Sequence, residues 1–231
     1  MAVAEEGIAD SRLANQFIQG ASDIPASTQT GLAFLTKRFI DVLGSAAALI
    51  LCLPLILIIT LLIFVDSRGP ILFRQERVGK GGRRFTVLKF RSMRRDAEER
   101  LVDVADHNEV QDGPIFKWRQ DPRITRVGRF LRRSSLDELP QFWNVLVGDM
   151  SLVGPRPPLE REVRAYEAWH FGRLSVTPGM TGLWQVSGRS NLSFSEMVSL
   201  DLRYIQDWSV WMDVRLILRT PLAVFRGRGA F

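Results

Sequence analysis

Residues 42–65 form a run of 24 without a charged side chain, and sixteen of them are Val, Leu, Ile or Phe. As one helix the run reaches about 36 Å, enough to cross a bilayer. Its insertion is worth very roughly 5 to 10 kcal/mol, which outweighs the roughly 3 kcal/mol that a helical proline costs. The run therefore reads as a membrane segment. Pro54 divides it into 12 residues before and 11 after, each about 17 Å as helix and too short to span alone. Two arrangements stay open: a kinked span, or a re-entrant helix–break–helix with both ends on one face. Lys37 and Arg38 precede the run, and Arg68, Arg74 and Arg77 follow it. The heavier basic side, C-terminal to the run, should be cytoplasmic.

Three units follow from this segment: 1–36, 37–66 and 67–231. Residues 1–36 are rich in Ala, Ser, Thr, Gln and Gly and lack an apolar period, so they read as a mobile tail. Glu5 and Glu6 stand where a signal peptide would be basic. Residues 1–41 carry three basic and five acidic side chains, which leaves +8 of the overall +6 on the remainder. A basic body suits anionic partners: nucleic acid, phosphorylated small molecules or an anionic membrane face. No nucleic-acid docking motif is present, and such a partner leaves the apolar run unexplained. The single Cys52 excludes an internal disulfide and a cysteine-cluster zinc site, and His107 and His170 stand apart.

Past residue 66 the pattern is α+β, mainly helical. A strand over 71–75, a turn at Gly79-Lys80-Gly81-Gly82 and a return over 84–90 make a small β-hairpin. Helices are expected over 96–106, 136–146, 158–170, 193–206 and 209–225, with 107–128 irregular. Ser193 and Glu196 fit a capping box, and Gly148 fits a helix stop. The last helix carries Trp211, with Trp208 just before it and Arg215, Arg219 and Arg226 nearby. It suits either the headgroup region of an anionic membrane or a core position with basic edges.

The chemistry concentrates in Ser134-Ser135-Leu136-Asp137-Glu138-Leu139-Pro140-Gln141, after Arg129, Arg132 and Arg133. An Asp can attack a phosphoryl group and carry it as an acyl phosphate. A neighbouring carboxylate can hold Mg²⁺ that spreads the developing charge. The structural alternative is a helix start, with Ser135 and Glu138 as a capping box or Asp137 as the cap. Lys89 and Arg91 share a face of an extended segment and either grip a phosphate or mark a solvated strand edge. Arg156 sits between Pro155 and Pro157, where its planar fork suits a phosphate or the prolines shape a turn. The glycine-rich stretch 177–189 lets backbone donors approach a ligand, with Gln185 and Arg189 for polar reach.

Five blocks in order after a Pro-broken apolar run resemble the bacterial sugar transferase family, the monotopic polyprenyl-phosphate phosphoglycosyl transferases. They are Lys89-Phe90-Arg91-Ser92-Met93, Asp121-Pro122-Arg123-Ile124-Thr125, 135–141, 148–157 and 178–189, and the resemblance covers roughly residues 37–225. The length is similar to that of the compact exopolysaccharide-initiating members. The resemblance implies transfer of a sugar-1-phosphate from a UDP-sugar to polyprenyl phosphate with release of UMP. It implies Asp137 as nucleophile, and Glu138 as its partner in an Mg²⁺-dependent carboxylate pair. Arg156 falls to the phosphate loop, and Lys89, Arg91, Gln185 and Arg189 to donor binding. It also implies a re-entrant hairpin at Pro54 in the bacterial inner membrane, with the catalytic domain on the cytoplasmic face. Leu53 departs from members that carry Ser there. An inactive membrane-tethered scaffold of the same fold is the alternative, and the intact Asp137-Glu138 pair argues against it. A conventional UDP-releasing glycosyltransferase would need an Asp-x-Asp signature, which the chain lacks.

Overall fold

The apolar run folds as two helices, α1 (Gly31–Leu51) and α2 (Leu53–Asp66), bent by 60° at the break between them. This computed structural model describes residues 31–97, 99–109, 113–115, 118, 120–188 and 192–225. Pro54 opens α2, where its missing N–H is tolerated. Around it the Cys52 N–H still reaches the Ala48 carbonyl (2.9 Å), and the Ile56 N–H reaches that of Cys52 (2.8 Å). Among the described residues no single helix is long and apolar enough to cross a membrane; only the bent pair is, by length and composition.

The pair is inverted relative to a helix in water. Lys37, Asp41 and Ser45, spaced four apart along one face of α1, are buried. Phe39, Leu43 and Ile50 on α1, with Leu57, Leu61 and Phe64 on α2, are exposed. Buried charges and an exposed contiguous apolar face suit an apolar surrounding. The buried polar groups dock on the rest of the chain. Lys37 Nζ donates to Asp213 Oδ2 (2.6 Å) and the Val153 carbonyl (2.9 Å). Arg38 donates to the carbonyls of Val145 (2.6 Å) and Leu146 (2.9 Å), and Asp41 Oδ1 accepts from Ser151 Oγ (3.0 Å) and the Leu152 N–H (2.9 Å). At the other end, Ile59 and Ile63 of α2 pack against Phe90 and Leu131. Both ends of the bent pair therefore rest on the same body.

Helix α1 begins at Gly31, so residues 31–36 are helical rather than tail; residues 1–30 lie outside the described residues. The antiparallel hairpin of β1 (Leu72–Val78) and β2 (Arg84–Phe90) sets Leu72 opposite Phe90 and Val78 opposite Arg84. Gly81 and Gly82 supply the positive φ (66° and 79°) of its turn. Strand β1 runs past Gln75 to Val78, whose N–H is held by the Pro158 carbonyl at 2.9 Å. Within the stretch expected to be irregular, Thr125 caps α3 (Arg126–Arg133), its Oγ1 accepting from the Gly128 N–H at 2.9 Å.

The helix expected over 136–146 is divided. A 3₁₀ turn, Leu136–Glu138, precedes α4 (Gln141–Val147), which has Pro140 at its N-cap and Gly148 (φ 101°) as its stop. Strand β3 (Ser151–Val153) pairs in parallel with β4 (Gly179–Thr181), a contact without a period-two signal in either segment. A Cβ on Gly179 would fall 2.0 Å from the Gly154 nitrogen, which explains the glycine. The helix expected over 158–170 shrinks to α5 (Glu160–Val163) followed by a 3₁₀ segment, Ala168–Ser175. The segment expected as a helix over 96–106 is likewise 3₁₀ over Glu99–His107. After α6 (Leu183–Ser187), the Ser193–Glu196 box opens α7 (Phe194–Gln206), and α8 (Val210–Phe225) closes the order. On α8 Trp211, Leu218 and Leu222 are exposed, and Arg215 lies over the Trp211 ring at 5.4 Å.

Asp213 receives Lys37, the Tyr204 hydroxyl (2.7 Å) and Trp208 Nε1 (3.1 Å). Lys37→Ala removes the cation that pairs with this buried carboxylate and should cost about 3–5 kcal/mol of unfolding free energy. The fall in thermal midpoint of the detergent-solubilised protein measures it.

Candidate active site

Helix α3 ends in Arg132-Arg133, and the next two residues turn the chain. Ser134 Oγ bonds back to the Phe130 carbonyl at 2.8 Å. Ser135 takes φ +54°, alone among the described non-glycine residues in being positive. A left-handed serine is strained by about 1–2 kcal/mol, and this reversal sets the Leu136–Glu138 turn with Asp137 inward, 7% exposed. Neither capping arrangement forms: Ser135 makes no side-chain cap bond, and Pro140 stands at the N-cap of α4.

The adjacent carboxylates occupy different environments. Lys89 Nζ, near the end of β2, donates to Glu138 Oε1 at 2.7 Å, and the Gln141 side chain also bonds Glu138. Burial favours a protonated Glu138, but Lys89 and then Arg156 overcome it and hold the group below the usual carboxylate range. For Asp137 burial dominates and the Glu138 charge adds to it. Lys89 and Arg132 only partly offset them, so Asp137 is pushed up to about 6. Environments that drive a carboxylate pair apart in this way assign the two groups different tasks.

Cations surround the pair. Arg132 faces Asp137, its Nε bonded to Ser92 Oγ at 3.1 Å. Arg156 faces Glu138, with Nη1 3.5 Å from Glu162 Oε2. Arg77 on β1 donates Nη1 to the Pro157 carbonyl at 2.9 Å, bracing the arginine loop. Burial, then the like charge of Arg156, brings Arg77 down to about 9. Four cations around two carboxylates make a site for a multiply charged anion.

Lys89, Asp137, Glu138 and Arg156 thus come together as the motifs suggest. Arg91 does not join them: its Nη2 bonds the Ser67 carbonyl and Ser67 Oγ (2.7 Å) at the end of α2. Gln185 Nε2 donates to the Met180 carbonyl at 2.9 Å, which fixes it between β4 and α6. Arg189 lies outside the described residues. Asp121 and Arg123 form a buried ion pair (2.7 Å) tied to the Ala97 carbonyl, a brace rather than a ligand site. Sequence patterns assigned no site role to Arg77, Arg132 or Gln141. Gln141 lay three residues past Glu138, within one helical turn, and that spacing was the available signal.

Among the described residues no group of three or more His, Cys, Asp or Glu is placed to hold a metal ion. Mg²⁺ needs fewer protein ligands, since it commonly takes one or two carboxylates, with water and substrate phosphates completing the shell. The hard oxygen donors of Asp137 and Glu138, set among these cations, fit that requirement.

This fold and site define a class. The bacterial sugar transferase family model matches residues 32–227, and the chain belongs to that family. It is 49% identical over 197 residues to the galactosyl transferase CpsE of Streptococcus agalactiae, covering 85% of this chain and 43% of that protein. It is 38% identical over 203 residues to the exopolysaccharide production protein ExoY of Rhizobium meliloti, covering 85% of this chain and 88% of that protein. The UDP-glucose:undecaprenyl-phosphate glucose-1-phosphate transferase of Escherichia coli is 38% identical over 217 residues, covering 90% of this chain and 44% of that relative. The chain thus spans under half of CpsE and of the Escherichia coli relative.

A carboxyl raised on folding keeps its proton longer folded than unfolded. Stability therefore falls as pH rises between 3.8, its ordinary value, and about 6, and the penalty is full above that. Asp137→Asn should accordingly stabilise the metal-free protein at pH 8 by up to about 3 kcal/mol. The gain should vanish near pH 4, its ordinary titration range. Thermal midpoints of parent and variant across pH measure this difference.

Proposed function

We propose that the chain transfers a sugar-1-phosphate from a UDP-sugar to polyprenyl phosphate, releasing UMP. The observation that carries this reading is the buried Asp137 beside an ionised Glu138, ringed by Lys89, Arg132 and Arg156. The relatives' names support the acceptor class, since one is a UDP-glucose:undecaprenyl-phosphate glucose-1-phosphate transferase and another an undecaprenyl-phosphate galactose phosphotransferase.

The ionised Asp137 attacks the sugar-linked phosphorus of the donor. A new carboxylate–phosphorus bond forms, the bond to the bridging oxygen breaks, and UMP departs with that electron pair. A phosphate oxygen of polyprenyl phosphate then attacks the same phosphorus. Asp137 leaves as carboxylate, and a polyprenyl diphosphosugar results. Two anionic substrates never meet in one step, which removes their mutual repulsion from the barrier. Lys89 holds Glu138, while Arg156 and Arg132 offset charge on the diphosphate. Asp137 and Glu138 would hold Mg²⁺, which when bound neutralises charge that develops on the phosphoryl oxygens.

The bent pair enters the membrane as a re-entrant hairpin. Supporting this are the docking of Lys37, Arg38 and Asp41 and of Ile59 and Ile63 on one body, and the exposed apolar surface between. The catalytic body then lies on the cytoplasmic face of the bacterial inner membrane, with Trp211 and Arg215 of α8 at anionic headgroups.

Membranes carrying the protein, given a panel of UDP-sugars and polyprenyl phosphate, should yield UMP and a lipid diphosphosugar. Without lipid, UMP should appear as a stoichiometric burst, and mass spectrometry should find the phosphosugar on Asp137. Asp137→Asn should lose both burst and turnover. Release of UDP, or turnover by Asp137→Asn, overturns the mechanism. Separately, Arg156→Lys keeps the charge but loses the planar fork, and steady-state kinetics should show turnover down by about ten-fold or more.

A further inference from the structure

Three consecutive residues at the end of β2 reach three different partners. Lys89 holds Glu138 at 2.7 Å. Phe90, 2% exposed, packs with Ile59 and Ile63 of α2 and Leu131 of α3. Arg91, 6% exposed, bonds Ser67 through both its carbonyl and its hydroxyl. Ser67 is the C-cap of α2, its N–H bonded to the Ile63 carbonyl at 3.0 Å. The Arg91 N–H adds a bond to the Ile71 carbonyl at 2.9 Å. One short stretch of backbone thus links the exit of the apolar helix pair to the catalytic carboxylates.

Arg91 is held in a costly way. Its Nη1 is buried without a hydrogen-bond partner among the described residues, a loss usually worth avoiding. That nitrogen lies under Gly69 (φ +132°), where a Cβ would fall 2.5 Å from it. The guanidinium is wedged between Gly69 and Ser67, which fixes where β2 stands relative to the end of α2.

We infer that Arg91 is a positioning residue for the lipid half of the reaction, setting the height of Asp137 and Glu138 relative to the membrane exit of α2. This rests on the function proposed above. A water-soluble UDP-sugar reaches the carboxylates at whatever height they stand. A polyprenyl phosphate in a bilayer has its phosphate fixed near the headgroup level by its own chain, so a small error in height removes reactive geometry. Lysine at position 91 would keep the charge but lack the fork that spans carbonyl and hydroxyl together.

The test compares two acceptors: a short, water-soluble prenyl phosphate, and long-chain polyprenyl phosphate in phosphatidylglycerol–phosphatidylethanolamine vesicles. For Arg91→Lys, the ratio of kcat/KM on the vesicle acceptor to that on the soluble one should fall about ten-fold from the parent's. The change should lie mainly in KM for the vesicle acceptor. Ser67→Ala, which loses only the hydroxyl contact, should shift the ratio the same way by less. Equal slowing on both acceptors, or an unchanged ratio, overturns the inference. If Arg91→Lys does not fold, the Ser67→Ala ratio decides, and no shift there overturns it. A parent that releases no UMP from any UDP-sugar overturns the transferase reading and this inference with it. An active parent with an unshifted ratio overturns this inference alone.

Discussion

The structure depends on the burial of the polar face of α1. Removing Lys37 and Asp41 from water costs several kcal/mol per ion before any partner is counted. Partners offset that cost: Asp213 gathers Lys37, Tyr204 and Trp208, while Asp41 takes two donors from β3. The Lys37 and Asp41 contacts join the apolar helix pair to β3 and to α8. Strand β3 continues directly into Gly154-Pro155-Arg156, so the apolar helix pair and the loop that presents Arg156 share one strand. A rigid body on which both ends of the helix pair dock also keeps the leucine-rich surface facing outward.

The same economy appears at the carboxylates. Asp137 and Glu138 are neighbours in sequence and share one 3₁₀ turn, yet their ionisation is driven in opposite directions. The difference comes from what each meets. Glu138 reaches the Lys89 ammonium, and Asp137 is turned inward by the left-handed Ser135 into a buried position beside Arg132. Strain at Ser135 and an Arg91 Nη1 without a partner among the described residues are local costs that fix the geometry around the carboxylate pair.

Local patterns in the chain were enough for the break at Pro54, the hairpin, the capping box at Ser193 and the helix that closes the chain, because each is written in a few adjacent residues. They failed where tertiary contact decided. The β3–β4 pair joins segments 28 positions apart in register (Ser151 to Gly179), and neither shows a strand period. Pro140 fits either inside a helix or at its edge, and the chain reversal at Ser135, which opens a separate Leu136–Glu138 turn, leaves it at the edge of α4. Lys89 and Arg91 look equivalent in an extended segment. The strand ends at Phe90, however, so Arg91 leaves the face that Lys89 keeps and turns to Ser67.

The amino-acid sequence by itself determined the groups available: an apolar run broken by proline, two adjacent carboxylates, and basic residues at fixed spacings along the chain. It could do so because side-chain type and short-range spacing are properties of the chain alone. The fold decided which of those groups meet and in what state of ionisation. It took Arg91 away, brought in Arg77, Arg132 and Gln141, and set Asp137 apart from Glu138. Burial and the field of distant charges depend on residues far away in the chain, and packing alone places those residues side by side.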